Sequence, residues 1–351
     1  EMRVRLQRDY SLLPGHRWFL PAHWLLGLNE VLAEEERITV LTGARCSEVL
    51  VDESGRVCGG VASCGGYTVT VKAKVSIDAT GTGFFSEAAG CQTMYGRDAR
   101  ATFNESLAPE EADDQVQQVT QMYVSQRMPG ASGFDMTQLE HVRLGVLVSE
   151  VGWFHQHKEK AMEKDLGIHL HWGCAVKCRD TRDPVAIADA QREALVKLKG
   201  DLELLRQNRY AVHLAPKLGV REVRRVVGEY VIAQDHLVAG AYPEDTIAIC
   251  GYGLDIWGEN TGAVHSKKYG IPLRALIPKG VSGLLVTGKC ASGSHIAMSS
   301  YRVIPIVGSM GQAAGIAAAL CSKLNVEPRN LEAEKVRAHL IQPQHKVTLE
   351  L

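Results

Sequence analysis

Apolar residues recur at helical spacing after Pro21, at Trp24, Leu25, Leu28, Val31 and Leu32, and the pattern then changes to alternation. A period near 3.6 predicts one helix there. ITVLTG, CSEVLVDE, RVCGGVAS and YTVTVKAKVSIDATG predict strands, separated by turns at Thr42-Gly43, Glu53-Ser54-Gly55 and Cys64-Gly65-Gly66. From Arg97 to about Asp135 polar residues dominate and the pattern predicts loop, with the acidic run PEEADD on a solvated face. Ile168 to Val176 predicts a strand, and VAIADAQREALVKLKGDLELLRQN lies in a long amphipathic helix from about Asp183 to Asn208. LGVREVRRVVGEYVI predicts a strand or short helix and then a strand. GLLVTG predicts a buried strand. The last strong element is a helix from about Val307, whose Gly308, Gly311, Gly315 and Ala319 allow a close backbone approach. No internal repeat has a fixed period.

Bulk properties narrow the function classes. The chain has 351 residues, enough for two domains, and a net charge of -1 that leaves no electrostatic footprint for nucleic acid or anionic lipid. No apolar run reaches the roughly 18 residues of a membrane span, so membrane insertion is not expected. The nine cysteines are scattered, as for reduced thiols in a cytoplasmic protein. None forms Cys-x-x-Cys, which argues against a disulfide reductase. HLHWGCAVKC raises a zinc site of His169, His171, Cys174 and Cys178. Strict strand alternation turns Cys174 away from the two histidines, however, and Cys-x3-Cys is not the usual knuckle spacing, so no metal is expected.

KVSIDATGTGFFSEAAGC places a short apolar strand before a glycine turn and a small-residue helix. A dinucleotide fingerprint reads G-x-G-x-x-G, with an acidic residue about 20 positions on. Gly81 and Gly83 fit it. Ser86 holds the third glycine's place, and the acidic candidate, Asp98, follows no strand.

Four motifs taken together resemble one family. VKAKVSIDATGTG looks like the Ala-Thr-Gly strand end of the two-dinucleotide-binding-domain flavoproteins, relatives of glutathione reductase and of the succinate dehydrogenase and fumarate reductase flavoproteins. GLLVTGKCASGSHIAMSSYRVIPIVGSMGQAAGIAAAL is similar to the C-terminal flavin segment of the FAD-dependent oxidoreductases. LGVREVRRVVGEYVI and GYGLDI are similar to that family's middle signatures, in the same order. The resemblance covers most of Pro21 to Leu324.

It implies an α/β fold: an incomplete FAD-binding Rossmann-like domain with an inserted α+β substrate domain. The FAD-binding part is expected over 1–100 and again over 281–330, a substrate or cap domain over 101–280, and a tail over 331–351. Glu1 to Leu20 is too short to hold the family's first G-x-G-x-x-G unit. A fragment, a partner chain carrying the phosphate-binding unit, and loss of FAD all remain open. A missing βαβ unit would uncover sheet edge and core, so a tight hetero- or homo-oligomeric partner is expected.

The resemblance implies FAD contacts at Cys46, Ala79, Thr80, Gly81, Gly83, Gly288, Lys289, Gly311, Gln312 and Ala313. Lys289 stands where the broader superfamily has a ribityl-binding Asp. His295, Tyr301 and Arg302 fall in an irregular stretch that the family places near the isoalloxazine. His295 and Arg302 are the catalytic candidates, and Arg221, Tyr252 and Tyr301 the candidates for a small-molecule substrate. Arg221, Arg224 and Arg225 with Glu222 and Glu229 can equally form a structural ion network. The expected activity is hydride transfer between a small organic substrate and flavin N5. The alternatives are a non-catalytic flavoprotein-fold subunit acting in assembly and, last, a pyridine-nucleotide enzyme built on Gly81 and Gly83.

Overall fold

A computed structural model describes residues 21–141, 144–147, 167–259, 261–342 and 349. The expectation for Glu1 to Leu20 lies outside these residues. The chain mixes helices and strands. Its main elements, in chain order, begin with α1 (Pro21–Ala33), β1 (Ala44–Val51), β2 (Val57–Cys64), β3 (Tyr67–Lys72), β4 (Ser76–Asp78) and α2 (Phe84–Ala88). There follow β5 (Val119–Arg127), β6 (Leu144–Leu147), β7 (Ile168–Val176), α3 (Pro184–Gln207) and β8 (Tyr210–Leu214). The rest are β9 (Thr246–Cys250), β10 (Tyr269–Pro272), β11 (Leu284–Val286), α4 (His295–Tyr301), α5 (Ile304–Leu324) and α6 (Ala333–Leu340). They divide into two compact units, one drawn from Glu1–Val40, Val119–Cys178 and Pro184–Val220, the other from Leu41–Gln118, Arg179–Asp183 and Arg221–Leu351.

The first unit is built on an antiparallel sheet of order β6-β7-β5-β8. α3 lays Ala186, Ala190, Ala194, Leu198 and Leu205 against it, a stripe at intervals of four and seven that keeps one face inward. Asp201 on the same helix is also buried, and its carboxylate accepts the backbone N–H groups of Glu140 and His141 at 2.8 and 2.9 Å.

β5 corrects the loop expected through Asp135. Its inward residues include Gln121 and Ser125 as well as Val119 and Tyr123, so its buried face is half polar and hides the alternation. β7 departs from strict alternation. Gln121 pairs with Cys174 and Tyr123 with His171, so Trp172 and Gly173 face Met122 alone, a β-bulge. Gly173 has φ 65°, and a Cβ there would lie 1.9 Å from the Gln121 carbonyl oxygen, so only glycine fits. The bulge returns Cys174 to the buried face with His169 and His171, against the expectation that it points away. Among the described residues, no group of three His, Cys, Asp or Glu is placed to hold a metal ion.

In the second unit β1, β2 and β3 form the expected meander. ITVLTG is not a strand: the Gly65-Gly66 turn sets the register so that Ala44 meets the last residue of β2, Cys64, and nothing remains for Ile38 to Leu41 to pair with. β4 and β11 are parallel neighbours, with Ser76, Ile77 and Asp78 opposite Leu284, Leu285 and Val286. β9 and β10 pair antiparallel. α5 packs across β4, β9 and β11, and its Met310, Ala313, Ala314, Ala317 and Cys321 enter a core with Ile247, Tyr269, Leu285 and Tyr301. Its length and apolar composition suffice for a membrane span, a length that the apolar runs in the sequence did not suggest. Only part of its surface is turned into that core. α6 docks beside it through Val336 and Leu340.

Two further expectations change here. His295 to Tyr301 is helical: the Ser294 hydroxyl accepts the Ala297 N–H at 3.1 Å and caps the helix. The Leu218–Ile232 stretch contains only the two-residue strand Arg225–Val226, paired with Thr93–Met94, because its arginines and glutamates engage distant partners rather than a ladder.

Candidate functional site

β4 and β11 run parallel and stop together, and each opens at its carboxyl end onto a glycine turn with positive φ: Gly81 and Gly83 at 68°, Gly288 at 79°. The carboxyl ends of parallel strands, where backbone turns leave a crevice, are where open α/β sheets bind ligands. Asp78 organises the first turn. One of its oxygens accepts the Thr80 N–H and hydroxyl at 2.9 and 2.7 Å, and the other accepts the Ser86 N–H and hydroxyl at the same distances. The carboxylate is 1% exposed and spends all four bonds on the turn and the start of α2, so it is a structural group that family resemblance alone did not single out. Asp78→Ala is expected to lower stability by about 2–3 kcal/mol, the scale for losing hydrogen bonds to a buried charge, and to loosen the turn. Urea unfolding and limited proteolysis at 79–83 check it.

Lys289 crosses from the second turn to the first: a Cβ on Gly81 would lie 3.2 Å from its Cε. Burial, with Arg302 and Arg221 in electrostatic reach, pushes its pKa down. Beside Gly288 the space is open, as it is beside Gly311 on α5. The candidates on α5 diverge, since successive helical residues turn by about 100°: Gly311 is half-buried, Gln312 exposed, and Ala313 sealed in the core. Cys46 lies on β1, its Sγ donating to the Glu48 carbonyl at 3.4 Å, and β1 packs against α2 just past the first turn. Ala79 and Thr80 belong to the turn itself.

Behind these turns is a closed ion network. Arg225 is wholly buried, with its guanidinium on Glu222, on Asp98 at 3.1 Å, and on the carbonyls of Gly293 and Gly96 at 3.0 and 2.9 Å. Glu222 also accepts the Gln117 N–H and holds His295 Nδ1 at 2.9 Å. Arg224 pairs with Glu87 at 2.7 Å. His295 Nε2 is 3.7 Å from Glu259, beyond a hydrogen bond. Burial opposes charge on His295, but Glu222 and then Glu259 outweigh it and raise its pKa to about 9, so the ring is an imidazolium at neutral pH. The expected network therefore holds for Arg225 with Glu222, whereas Arg224 pairs with Glu87 outside it and Glu229 lies 3.8 Å from Arg329.

A second cluster gathers three of the predicted residues around one that the sequence did not single out. Asp255 Oδ2 accepts from the Tyr252 hydroxyl at 3.2 Å, from Trp257 Nε1 at 3.3 Å and from Arg302 Nη2 at 3.1 Å. Trp257 in turn lies under the Arg221 guanidinium, 3.8 Å from ring centroid to Cζ, and Arg221 donates to the Gln118 carbonyl at 2.9 Å. Arg221, Tyr252 and Arg302 thus come together. Tyr301 does not join them: it is fully buried and its hydroxyl donates to the Ala291 carbonyl at 2.9 Å, which leaves no surface for a substrate. Asp255 and Trp257 stand in the GYGLDIWGEN run, whose acidic and aromatic residues among glycines were the available signal.

No curated protein and no solved structure matches the chain. Residues 1–340 match the family model described as FAD dependent oxidoreductase. The chain, with glycine turns at two parallel strand ends and cations gathered beside them, belongs to the FAD dependent oxidoreductase family, whose cofactor is FAD.

Proposed function

We propose that this chain is an FAD-dependent oxidoreductase that moves a hydride between a small organic substrate and flavin N5. The observation that carries it is the pair of parallel strands ending side by side in glycine turns with half-buried Lys289 across them. The residues present fit the flavin and ribityl portions of FAD: open space beside Gly288 and Gly311 admits a long group without a Cβ clash, and Lys289 offers a cation to its polar edge. Bound FAD supplies the two-electron chemistry. The residues Gly81, Gly83, Gly288 and Lys289 would hold it, and His295, charged against Glu222, carries a proton at Nε2 that no hydrogen bond engages.

The pyrophosphate needs a helix N-terminus with free N–H groups. α2, with five residues, is too short to offer a strong one. The proposal therefore assigns this contact to another segment or to a partner chain. Support comes from β4, which pairs only with β11 among the described residues and leaves its other edge open. The finer fold belongs to the same proposal: a Rossmann-like FAD domain, with an α+β substrate domain inserted in it.

The absorbance spectrum of the purified protein, taken with intact mass and repeated after adding FAD, tests this reading. Flavin bands at one FAD per chain, bleached anaerobically by a reductant and restored by air, are expected. A colourless sample that takes up no FAD overturns the reading in favour of an assembly subunit.

A further inference from the structure

β8 ends one side of the first unit's sheet, and no described strand lies beyond it. The ladder fixes which of its backbone groups are spent. Met128 N–H donates to the Arg209 carbonyl and Ala215 N–H to the Met122 carbonyl, both at 2.9 Å, so the odd-numbered residues from 209 to 215 face β5. Val212 and Leu214 therefore turn their N–H and C=O groups outward, a template for one more strand. Val212 lies opposite Ser125 and Leu214 opposite Tyr123, which puts both side chains on the face that α3 covers.

Beside that edge runs a groove of about 940 Å³ between α3 and β8. α3 turns one stripe of residues towards it, at helical spacing. Leu195, Val196 and Leu202 are its apolar part, and Val196 is 70% exposed. Arg192, Lys199 and Arg206, at successive steps of seven, are its charged part, and Glu203 is the one anion among the described residues that line the groove.

These cations are weakly neutralised. Arg192 holds Asp189 at 3.1 Å and Lys199 lies 3.9 Å from Glu203, exposed pairs that contribute little. Arg206 meets no carboxylate among the described residues. At the start of β8 the Arg209 guanidinium donates to the Gly130 and Pro129 carbonyls, so its charge also lacks a carboxylate. A second copy paired about a two-fold axis at Val212 would merge two cationic grooves, like against like. An acidic strand complements them.

We infer that the groove between α3 and β8 binds an extended acidic segment of a partner protein as a fifth strand of this sheet. Two heptads separate Arg192 from Arg206, about 21 Å along a helix, and six strand steps cover about 20 Å. Acidic side chains at the two ends of a seven-residue stretch thus reach the two arginines, and apolar side chains between them lie on Leu195, Val196 and Leu202. Pairing with Val212 and Leu214 supplies affinity, and the cations select the sign of the partner.

A fluorescein-labelled peptide, Glu-Thr-Val-Thr-Val-Thr-Glu with blocked ends, titrated with the full chain and followed by anisotropy, tests the inference. Saturable binding is expected, weakened at least about 10-fold in the Arg192→Glu, Arg206→Glu double variant and when lysines replace the peptide's glutamates. Both arginines are exposed, so the variant should keep the parent's urea midpoint. N-methylation of one alternate set of peptide amides should abolish binding and N-methylation of the other should spare it, because a single edge of the peptide pairs with β8. No saturable binding, equal binding of the lysine peptide, or indifference to both N-methylated sets overturns the inference and leaves the cations as guards of a bare edge. A dimer in light scattering that Val212→Pro dissociates also overturns it, since proline there removes an N–H that β5 does not use and a second copy then fills the edge. Flavin plays no part in these readouts, so this result and the oxidoreductase reading stand or fall separately.

Discussion

Arg225→Met should lower the unfolding free energy by about 3–5 kcal/mol, the scale for breaking a buried ion pair from one side. The guanidinium is 0% exposed and joins Glu222, three residues away, to three groups distant in sequence: Asp98 and the carbonyls of Gly96 and Gly293. Methionine fills much of the volume, so cavity formation is a small part of the loss. The larger part is the two carboxylates left buried beside His295 alone. A second replacement, Glu222→Leu with Arg225→Met, removes one uncompensated charge and should recover part of the loss, a coupling that a merely steric defect would not produce. Urea midpoints of the single and double variants at constant slope measure both. A single-variant loss under about 1 kcal/mol would show that the network does not hold this unit together.

Stability should also fall on both sides of neutrality, for two histidines with opposite shifts. His171 is sealed beneath Tyr123, their rings stacked at 4.2 Å, with Nε2 hydrogen-bonded to the Ser125 hydroxyl at 2.8 Å. Burial, and then neighbouring His169, push its pKa down to about 3. The unfolded chain, with an ordinary histidine pKa near 6.5, binds the proton more tightly than the folded one. The contribution of His171 is therefore complete above that value and is lost as pH falls towards about 3, about 5 kcal/mol at the limit at about 1.4 kcal/mol per pH unit.

His295 has the opposite sign. Its folded pKa is raised to about 9 by Glu222 and Glu259 against burial and Arg225. Its contribution is complete below about pH 6.5 and is lost as pH rises through 9, about 3 kcal/mol. Urea midpoints across the pH range should therefore drop at both ends. His171→Phe, which keeps a ring against Tyr123, should flatten the acid limb, and His295→Gln the alkaline one. Midpoints that hold level from neutrality down to about pH 4 in the parent protein would refute the acid half.

The parts of the site nearest a local motif were legible before the structure. Gly81, Gly83 and Gly288 occupy turns at parallel strand ends as the strand-glycine-helix pattern implied, since a positive φ after a short apolar strand is written in consecutive residues. The parts that depend on partners far along the chain were not. Asp255 meets Arg302 across 47 positions, and Arg225 meets Asp98 across 127, and no periodicity carries such pairings. Tyr301 shows the converse: it neighbours Arg302 in sequence, yet the helix carries it into the core.

Local physics determined α1, β7, α3 and the helical character of α5 from the sequence by itself, because period, turn residues and small-residue spacing act within a few residues of one another. Tertiary structure alone decided where ITVLTG stops being a strand, how the Gly173 bulge returns Cys174 to the histidine face, and that Tyr252, Trp257 and Arg302 meet at Asp255. Those outcomes turn on register and on buried charge, both of which are settled only when distant segments meet and exclude water.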